Sequence, residues 1–77
     1  MAERGRERVA LGQTIRRERQ ARQLSIEALA FEAGVSVARL GRIERGQGSP
    51  KVSELLALSN VLGVTLGDLM VAAWGEA

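Results

Sequence analysis

The stretch Ala33–Gly46 reads AGVSVARLGRIERG and decides the fold. It holds the turn Gly34-Val35-Ser36 between two short segments of helical character. A three-residue turn that contains Gly and joins two short helices is the signature of a helix-turn-helix motif. In the segment after the turn, Leu40 and Ile43 are three residues apart, as on one face of a helix. The stretch therefore predicts a helix-turn-helix whose second helix buries those two side chains.

Helix boundaries are marked by residues that satisfy the free backbone groups at helix ends. Ser25, Ser36 and Thr65 each precede a helical segment, where a hydroxyl oxygen can accept a backbone N–H. Asp68, three residues after Thr65, is suited to a capping box. Glycines in left-handed backbone often end helices, and helical segments are followed by Gly34, Gly46 and Gly63.

The rest of the chain is also helical in pattern. No segment alternates apolar and polar residues as a half-buried strand does, and Gly48-Ser49-Pro50 interrupts the chain after the third helix. The expectation is an all-α bundle of five helices, at about Val9–Arg22, Ile26–Ala33, Val37–Arg45, Val52–Leu62 and Leu66–Ala73. Residues 1–8 are expected to form a basic flexible arm, and residues 9–77 a single domain with a C-terminal dimerisation helix.

The composition excludes several classes of function. A chain of 77 residues is expected to form one domain. It has no Cys and no His, which excludes a disulfide framework, thiolate or imidazole metal sites, and the usual nucleophile–base pairs of enzymes. The sequence shows no paired carboxylates and no phosphate-binding loop. It therefore predicts neither an enzyme nor a cofactor, metal or small-molecule ligand.

The charge is unevenly distributed along the chain. Residues 1–45 contain ten Arg and six Glu, a balance of +4, whereas residues 46–77 contain one Lys, two Glu and one Asp, a balance of −2. The basic part suits a polyanionic partner, and the acidic part does not. No apolar run approaches the ~18 residues needed to span a bilayer, and MAERGRERVA leads into no apolar signal-peptide core. We expect a cytoplasmic protein that binds no membrane.

Nearly the whole chain resembles one known family. LSIEALAFEAGVSVARLGRIERGQGSPKVSELLALSNVLGVTLGDLM, together with the preceding LGQTIRRERQARQ, resembles the Cro and phage-repressor type of helix-turn-helix protein over residues 11–70. The GVS turn, the IERG end of the third helix, the Pro50 break and the LGV before the last helix match in order and spacing. The resemblance implies a five-helix bundle like the DNA-binding domains of phage repressors, and a dimeric transcriptional regulator. The chain length also resembles that of restriction–modification controller proteins, but no motif separates these from small phage-type repressors or antitoxin-type regulators.

The resemblance implies that the third helix enters the major groove of DNA. It places Ser36, Val37, Ala38 and Arg42 at the bases, with Arg39 nearby. Many relatives have Gln, Arg, Ser or Thr at the two apolar positions, where this chain can only contact a thymine methyl group. Arg42 is the main candidate for a bidentate contact to guanine, and Arg39 is either a second base reader or a phosphate contact.

The resemblance also implies contacts to the phosphate backbone. The loop after the third helix runs beside the backbone in the family, and its side chains suit phosphate contact. Ile26 stands where relatives often have a phosphate-binding Gln, so only its backbone N–H can serve. The residues expected to contact phosphate are Ser25, Arg45, Gln47, Ser49, Lys51 and Arg16.

Two further side-chain roles are expected. In matching relatives an Arg late in the first helix meets a Glu near the end of the third, which here implies a structural pair between Arg19 and Glu44. Phe31 falls where relatives have a polar surface residue. We expect it to fold over the edge of the core, with contact to a partner as the alternative.

The C-terminal part has more apolar residues than a small bundle needs. Its core positions are expected to be Leu55, Leu58, Leu62, Val64 and Leu69. The remaining apolar residues are predicted to form an isologous dimer interface, at Leu66, Met70, Val71 and Trp74. The alternative is that Trp74 folds back onto its own core.

The sequence therefore predicts a regulator of transcription that binds double-stranded DNA sequence-specifically as a homodimer on a pseudo-palindromic operator. The alternative is a module that retains the helix-turn-helix fold without specific DNA binding, and instead contacts a partner protein through Ile26, Phe31 and Val37. Duplex DNA binding that weakens steeply with salt distinguishes the two hypotheses.

Overall fold

The computed structural model describes the backbone of residues 2–75 and the side chains of residues 5–75. Within that part of the chain there are five α-helices and no strand. The helices are α1 (Ala2–Ala21), α2 (Ile26–Ala33), α3 (Val37–Glu44), α4 (Val52–Leu62) and α5 (Leu66–Trp74). The predicted all-α five-helix fold is confirmed, and α2 and α4 have the predicted bounds.

The first helix begins earlier than the sequence pattern indicates. α1 starts at Ala2, seven residues before the expected start at Val9. Apart from Gly5, the stretch Ala2–Arg8 consists of Ala, Glu and Arg, which are good helix formers. The backbone of the expected arm is therefore helical from Ala2 onward and continuous with α1, while Met1 lies outside the described residues.

All five helices contribute to one hydrophobic core. The apolar residues buried in the described part of the chain are Leu11, Ile15, Leu29, Ala30, Leu40, Ile43, Leu55, Leu58, Leu62 and Leu69. These include the two residues predicted from the helix-turn-helix stretch and four of the five predicted in the C-terminal part. The fifth, Val64, is half-buried and packs against the same core.

Two glycines allow α1 to approach the end of α3 closely. A Cβ atom on Gly12 would lie 2.6 Å from the carbonyl oxygen of Glu44, which is too close for any other residue to fit without a shift. Gly46 follows α3 with a φ of 77°, and a Cβ there would lie 2.7 Å from Cγ2 of Val9. Gly46 is thus required both for its left-handed backbone and for its contact with α1.

The predicted helix caps are present. The side chains of Ser25 and Ser36 accept hydrogen bonds from the N–H groups of Ala28 and Arg39, each at 3.0 Å. Thr65 and Asp68 form the reciprocal capping box, with both hydrogen bonds at 3.0 Å. Left-handed glycines end α2 and α4, as the sequence predicts, at Gly34 and Gly63.

Phe31 does not pack over the core edge, so that expectation is wrong: the residue is 87% exposed. α2 turns Leu29 and Ala30 into the core, with Ile26 and Ala33 packed beside them. Successive helical residues are separated by about 100°, so Phe31 lies about 200° around the helix from Leu29. Its backbone position therefore directs the ring to solvent.

Among residues 2–75, no single helix is long and apolar enough to cross a membrane. α4 and α5 together reach that length and composition, but they are bent by 111° at their junction. Both contribute residues to the buried core.

Candidate nucleic-acid interface

α3 has one face in the core and one face toward solvent. Leu40 and Ile43 fix the inner face. The outer face lies beside the start of α2 and forms an open groove, here termed the α3 groove, which is lined by Ile26, Val37, Ala38, Gly41, Arg42 and Arg45. Its apolar side chains and two exposed guanidinium groups combine the chemistry that recognises thymine methyl groups, guanine edges and phosphates.

The predicted base readers are distributed differently around this groove. Val37, Ala38 and Arg42 line it directly. Ser36 precedes it as the exposed N-cap of α3, where its oxygen accepts the N–H of Arg39 and its O–H can still donate. Four of the five predicted readers thus lie on or beside the outer face of α3.

Arg39, the fifth predicted reader, is half-buried and paired within the protein. Its guanidinium binds Glu54 through both Nε and Nη2, at 3.0 and 2.9 Å, and Nη2 also donates to the carbonyl oxygen of Ser49 at 3.0 Å. Glu54 is the third residue of α4, and its Oε1 also accepts the backbone N–H of Lys51 at 2.8 Å. The hydrogen bonds from Arg39, and secondly from Lys51, lower the pKa of Glu54 to about 2. In turn, the hydrogen bond to Glu54 raises the pKa of Arg39.

Sequence reasoning missed this contact. Glu54 lies three residues after Lys51, a spacing that signals a capping carboxylate at the start of α4. That signal could have identified Glu54 as a structural acceptor. Nothing in the spacing between positions 39 and 54 indicates that an arginine from α3 would reach the same carboxylate.

The predicted phosphate contacts lie in separate parts of the chain. Arg45 lines the α3 groove beside Arg42. The carbonyl oxygen of Ser49 accepts from Arg39, and the N–H of Lys51 donates to Glu54, so the Arg39–Glu54 pair connects both residues. Ser25 caps α2 as an exposed residue, with its hydroxyl group free to donate. Gln47 and Arg16 are exposed, and neither is among the residues that line the groove.

Arg19 and Glu44 lie in contact, as the resemblance implies. The distances are 2.7 Å from Nε to Oε2 and 3.0 Å from Nη2 to Oε1, and Nη1 donates to the carbonyl oxygen of Leu24 at 2.9 Å. The two side chains are only 13% and 6% exposed. The hydrogen bond to Glu44 raises the pKa of Arg19. This pair fixes the end of α3 to the end of α1 and to the turn before α2.

The predicted dimer residues differ in their exposure. Leu66 and Met70 are half-buried against the core, whereas Val71 and Trp74 are 48% and 53% exposed. Trp74 is not buried in its own core. Its ring borders a cleft, here termed the Trp74 cleft, which is also lined by Glu7, Arg8, Leu11, Ser49, Pro50 and Leu55.

Comparison with known proteins identifies relatives among regulators of transcription. The chain is 41% identical over 63 residues to the uncharacterized HTH-type transcriptional regulator RghRB of Bacillus subtilis (strain 168), a match that covers 80% of this chain and 45% of that protein. It is 35% identical over 60 residues to the HTH-type transcriptional regulator DdrOP3 of Deinococcus deserti, covering 78% and 46%. The chain thus spans less than half the length of the curated relatives it matches.

Solved structures show the same fold. The clp gene regulator ClgR from Corynebacterium glutamicum matches with a TM-score of 0.83 and 29% identity, over 90% of this chain and 73% of that chain. The restriction-modification controller protein C.AhdI from Aeromonas hydrophila matches with a TM-score of 0.77 and 36% identity, over 79% of this chain and 92% of that chain.

The family model for the helix-turn-helix matches residues 15–69, which include α2, α3 and α4 in full. The relatives named above are regulators and not enzymes. The chain belongs to the Cro and phage-repressor type of helix-turn-helix family, a family of transcriptional regulators.

Proposed function

We propose that this chain binds double-stranded DNA sequence-specifically, with α3 in the major groove. The observation that supports this most is the α3 groove, because it joins an apolar surface to two exposed arginines on a helix that the Arg19–Glu44 pair holds in place. In this proposal Arg42 binds guanine through its guanidinium, Val37 and Ala38 contact thymine methyl groups, and Ser36 donates from the start of the helix. Family membership supports the same role.

Contacts to the phosphate backbone set the register of α3 in the major groove of DNA. They come from exposed positions on α1, the start of α2, the end of α3 and the following loop, which in chain order are Arg16, Ser25, Arg45, Gln47, Ser49 and Lys51. Contacts of this kind supply affinity that does not depend on sequence and that weakens with salt. Basic residues before Val9 add to the electrostatic attraction for DNA.

The proposed regulator acts in the cytoplasm as a homodimer. Val71 and Trp74 are exposed apolar side chains on one helix, and we assign them the centre of an isologous interface with Leu66 and Met70 at its edge. Two α3 helices related by a two-fold axis would lie about one helical turn of DNA apart, roughly 34 Å, and would read a pseudo-palindromic operator. Likeness to C.AhdI over 92% of that chain favours a small controller-type regulator.

One observation favours the second candidate function, a protein-interaction module. Phe31 is 87% exposed, and Ile26 and Val37 supply apolar surface in the α3 groove. An exposed aromatic ring is suited to contact with a protein partner.

Titration of a fluorescent random duplex at increasing salt tests the proposal. We expect the logarithm of affinity to fall linearly with the logarithm of salt concentration between about 50 and 200 mM. Selection from a random duplex pool then yields an operator with two inverted half-sites. An absence of duplex binding at low salt contradicts the proposal and favours the interaction module.

A further inference from the structure

The loop between α3 and α4 is joined to both helices by a single ion pair. Arg39 reaches from α3 to Glu54 on α4. The same arginine binds the carbonyl oxygen of Ser49, and the same carboxylate binds the N–H of Lys51. The guanidinium also passes close to Gly48, where an added Cβ atom would lie 3.2 Å from Nη1 of Arg39. Two loop residues are thus anchored through one ion pair.

The pair is well shielded from solvent for a surface loop. The side chains of Arg39 and Glu54 are 23% and 16% exposed, compared with 36% and 37% for the helical pair Arg22–Glu18. Two parallel N–H···O hydrogen bonds fix the planes of both groups. The contact therefore restrains the loop to a single position more strongly than an ordinary exposed ion pair would.

The geometry leaves Arg39 poorly suited to reading a base. A guanidinium carries five N–H donors, and Arg39 uses three of them, on Nε and Nη2, within the protein. A bidentate contact to guanine needs two neighbouring donors. Arg39 would have to break its contact with Glu54 to offer the Nε and Nη2 edge.

We propose that Arg39 is a positioning residue, and that its ion pair with Glu54 fixes the loop of residues 46–51 relative to α3. The loop's phosphate contacts and the base contacts of α3 then form together. This inference rests on the proposed function and deepens it, because it assigns Glu54 a role in DNA binding without any contact to DNA.

The variants Arg39→Ala and Glu54→Ala test the inference by fluorescence anisotropy on the selected operator and on random duplex. We expect each to lower affinity for both DNAs by the same factor, about tenfold, with the preference at every base pair unchanged. The double variant should bind no worse than either single variant, because each single variant already removes the same Arg39–Glu54 contact. Exchanging the pair, with Arg39→Glu and Glu54→Arg together, should recover part of the affinity that either reversal alone loses.

Loss of Glu54 is the most informative change, because removing a negative charge from a DNA-binding protein ordinarily raises affinity. Asp68→Ala is the matched control: it also removes one negative charge and one capping carboxylate at the third position of a helix, on α5. We expect Asp68→Ala not to lower affinity, with circular dichroism showing that each variant is folded. The inference is overturned if Glu54→Ala leaves affinity unchanged or raises it, or if Arg39→Ala relaxes the preference at one base pair.

A readout without DNA separates this inference from the proposed function. In the free protein, amide hydrogen exchange at Gln47 and Lys51 should accelerate in Arg39→Ala while exchange in the core of α3 stays unchanged. If the native chain binds no duplex, the proposed function fails, and unchanged exchange in the variant would show separately that Arg39 does not hold the loop.

Discussion

Arg19 and Glu44 form a bidentate ion pair that joins the end of α1 to the last residue of α3, 25 positions along the chain. Arg19 also binds the carbonyl oxygen of Leu24, so one guanidinium connects three segments of the bundle. With side chains 13% and 6% exposed, neither charge can be well solvated by water. The Arg19–Glu44 contact therefore helps to fix the orientation of α3, and it lies on the side of α3 away from its solvent face.

We predict that Glu44→Ala destabilises the fold by about 3 kcal/mol, since it leaves the Arg19 charge shielded from water without its partner. The free energy of unfolding from urea titration measures this change. Glu18→Ala is the matched control, because it breaks an exposed i,i+4 pair with Arg22 and should cost only about 0.3–0.5 kcal/mol. Equal losses in the two variants would show that the Arg19–Glu44 contact contributes no more than a surface pair.

The fold followed from local sequence signals. Ser25, Ser36 and Thr65 mark helix starts through hydroxyl caps that any chain can form locally. The early start of α1 was missed, because charged residues before Val9 carry no apolar periodicity that would mark a helix. The helix propensity of the residues before Val9 permits helix there, but the sequence pattern does not show at which residue α1 begins.

The candidate site was less predictable, because its contacts join distant residues. The contact of Arg19 with Glu44 was expected only through the family resemblance, and that of Arg39 with Glu54 was not expected. Phe31 was placed wrongly, since its apolar character gave no information about which side of α2 faces the core. Side-chain partners across 15 or 25 positions depend on how helices pack and have no signature in local spacing.

The Arg39–Glu54 pair predicts a dependence of stability on pH. The pKa of Glu54 falls from 4.5 to about 2 on folding, so the carboxylate stabilises the fold above pH 4.5 and loses this contribution as pH falls from 4.5 toward 2. We expect the difference in unfolding free energy between the native chain and Glu54→Gln to shrink over this window. The same narrowing should occur for Arg39→Ala. A difference that stays constant from neutral pH to pH 2 would contradict the assignment.

Arg42 is predicted to read a base. Arg42→Ala should weaken operator binding by about 1–3 kcal/mol and relax the preference at one base pair in each half-site. Lys51→Ala is the comparison, since a phosphate contact contributes equally on every sequence and its loss should reduce the salt slope by about one unit. Anisotropy titrations on operator and random duplex measure both. A loss for Arg42→Ala that is equal on the two DNAs would make Arg42 a phosphate contact.

Gly41 is predicted to lower the stability of α3 while allowing DNA to approach the helix closely. It lies inside α3, where Ala would stabilise the helix by about 1 kcal/mol. An added Cβ would meet only the end of the flexible Arg45 side chain, at 3.1 Å from Nη1, so the free protein can accommodate it. Because Gly41 lines the α3 groove, we expect Gly41→Ala to raise the free energy of unfolding and to lower operator affinity. An affinity unchanged or raised would show that DNA does not approach this position.

The dimer prediction depends on which apolar residues the fold leaves uncovered. Leu66 and Met70 are partly buried against the core. The exposed apolar surface of α5 is therefore formed mainly by Val71 and Trp74. A large aromatic side chain at the centre of an interface typically contributes 2 kcal/mol or more, on the order of a thirtyfold change in dissociation constant. Trp74 is therefore the position at which the predicted interface is most sensitive to truncation.

We predict that Trp74→Ala raises the dimer dissociation constant by at least tenfold and weakens operator binding at low protein concentration, because a monomer makes only half of the contacts. Sedimentation velocity over a range of concentrations measures the first effect, and anisotropy on full and half operators measures the second. Phe31→Ala is the matched control, since it removes an aromatic ring that is even more exposed, on α2, and should leave self-association unchanged. If the native chain remains monomeric at tens of micromolar, α5 is not a dimer interface. If Phe31→Ala and not Trp74→Ala dissociates the dimer, the two-fold axis lies beside α2 instead.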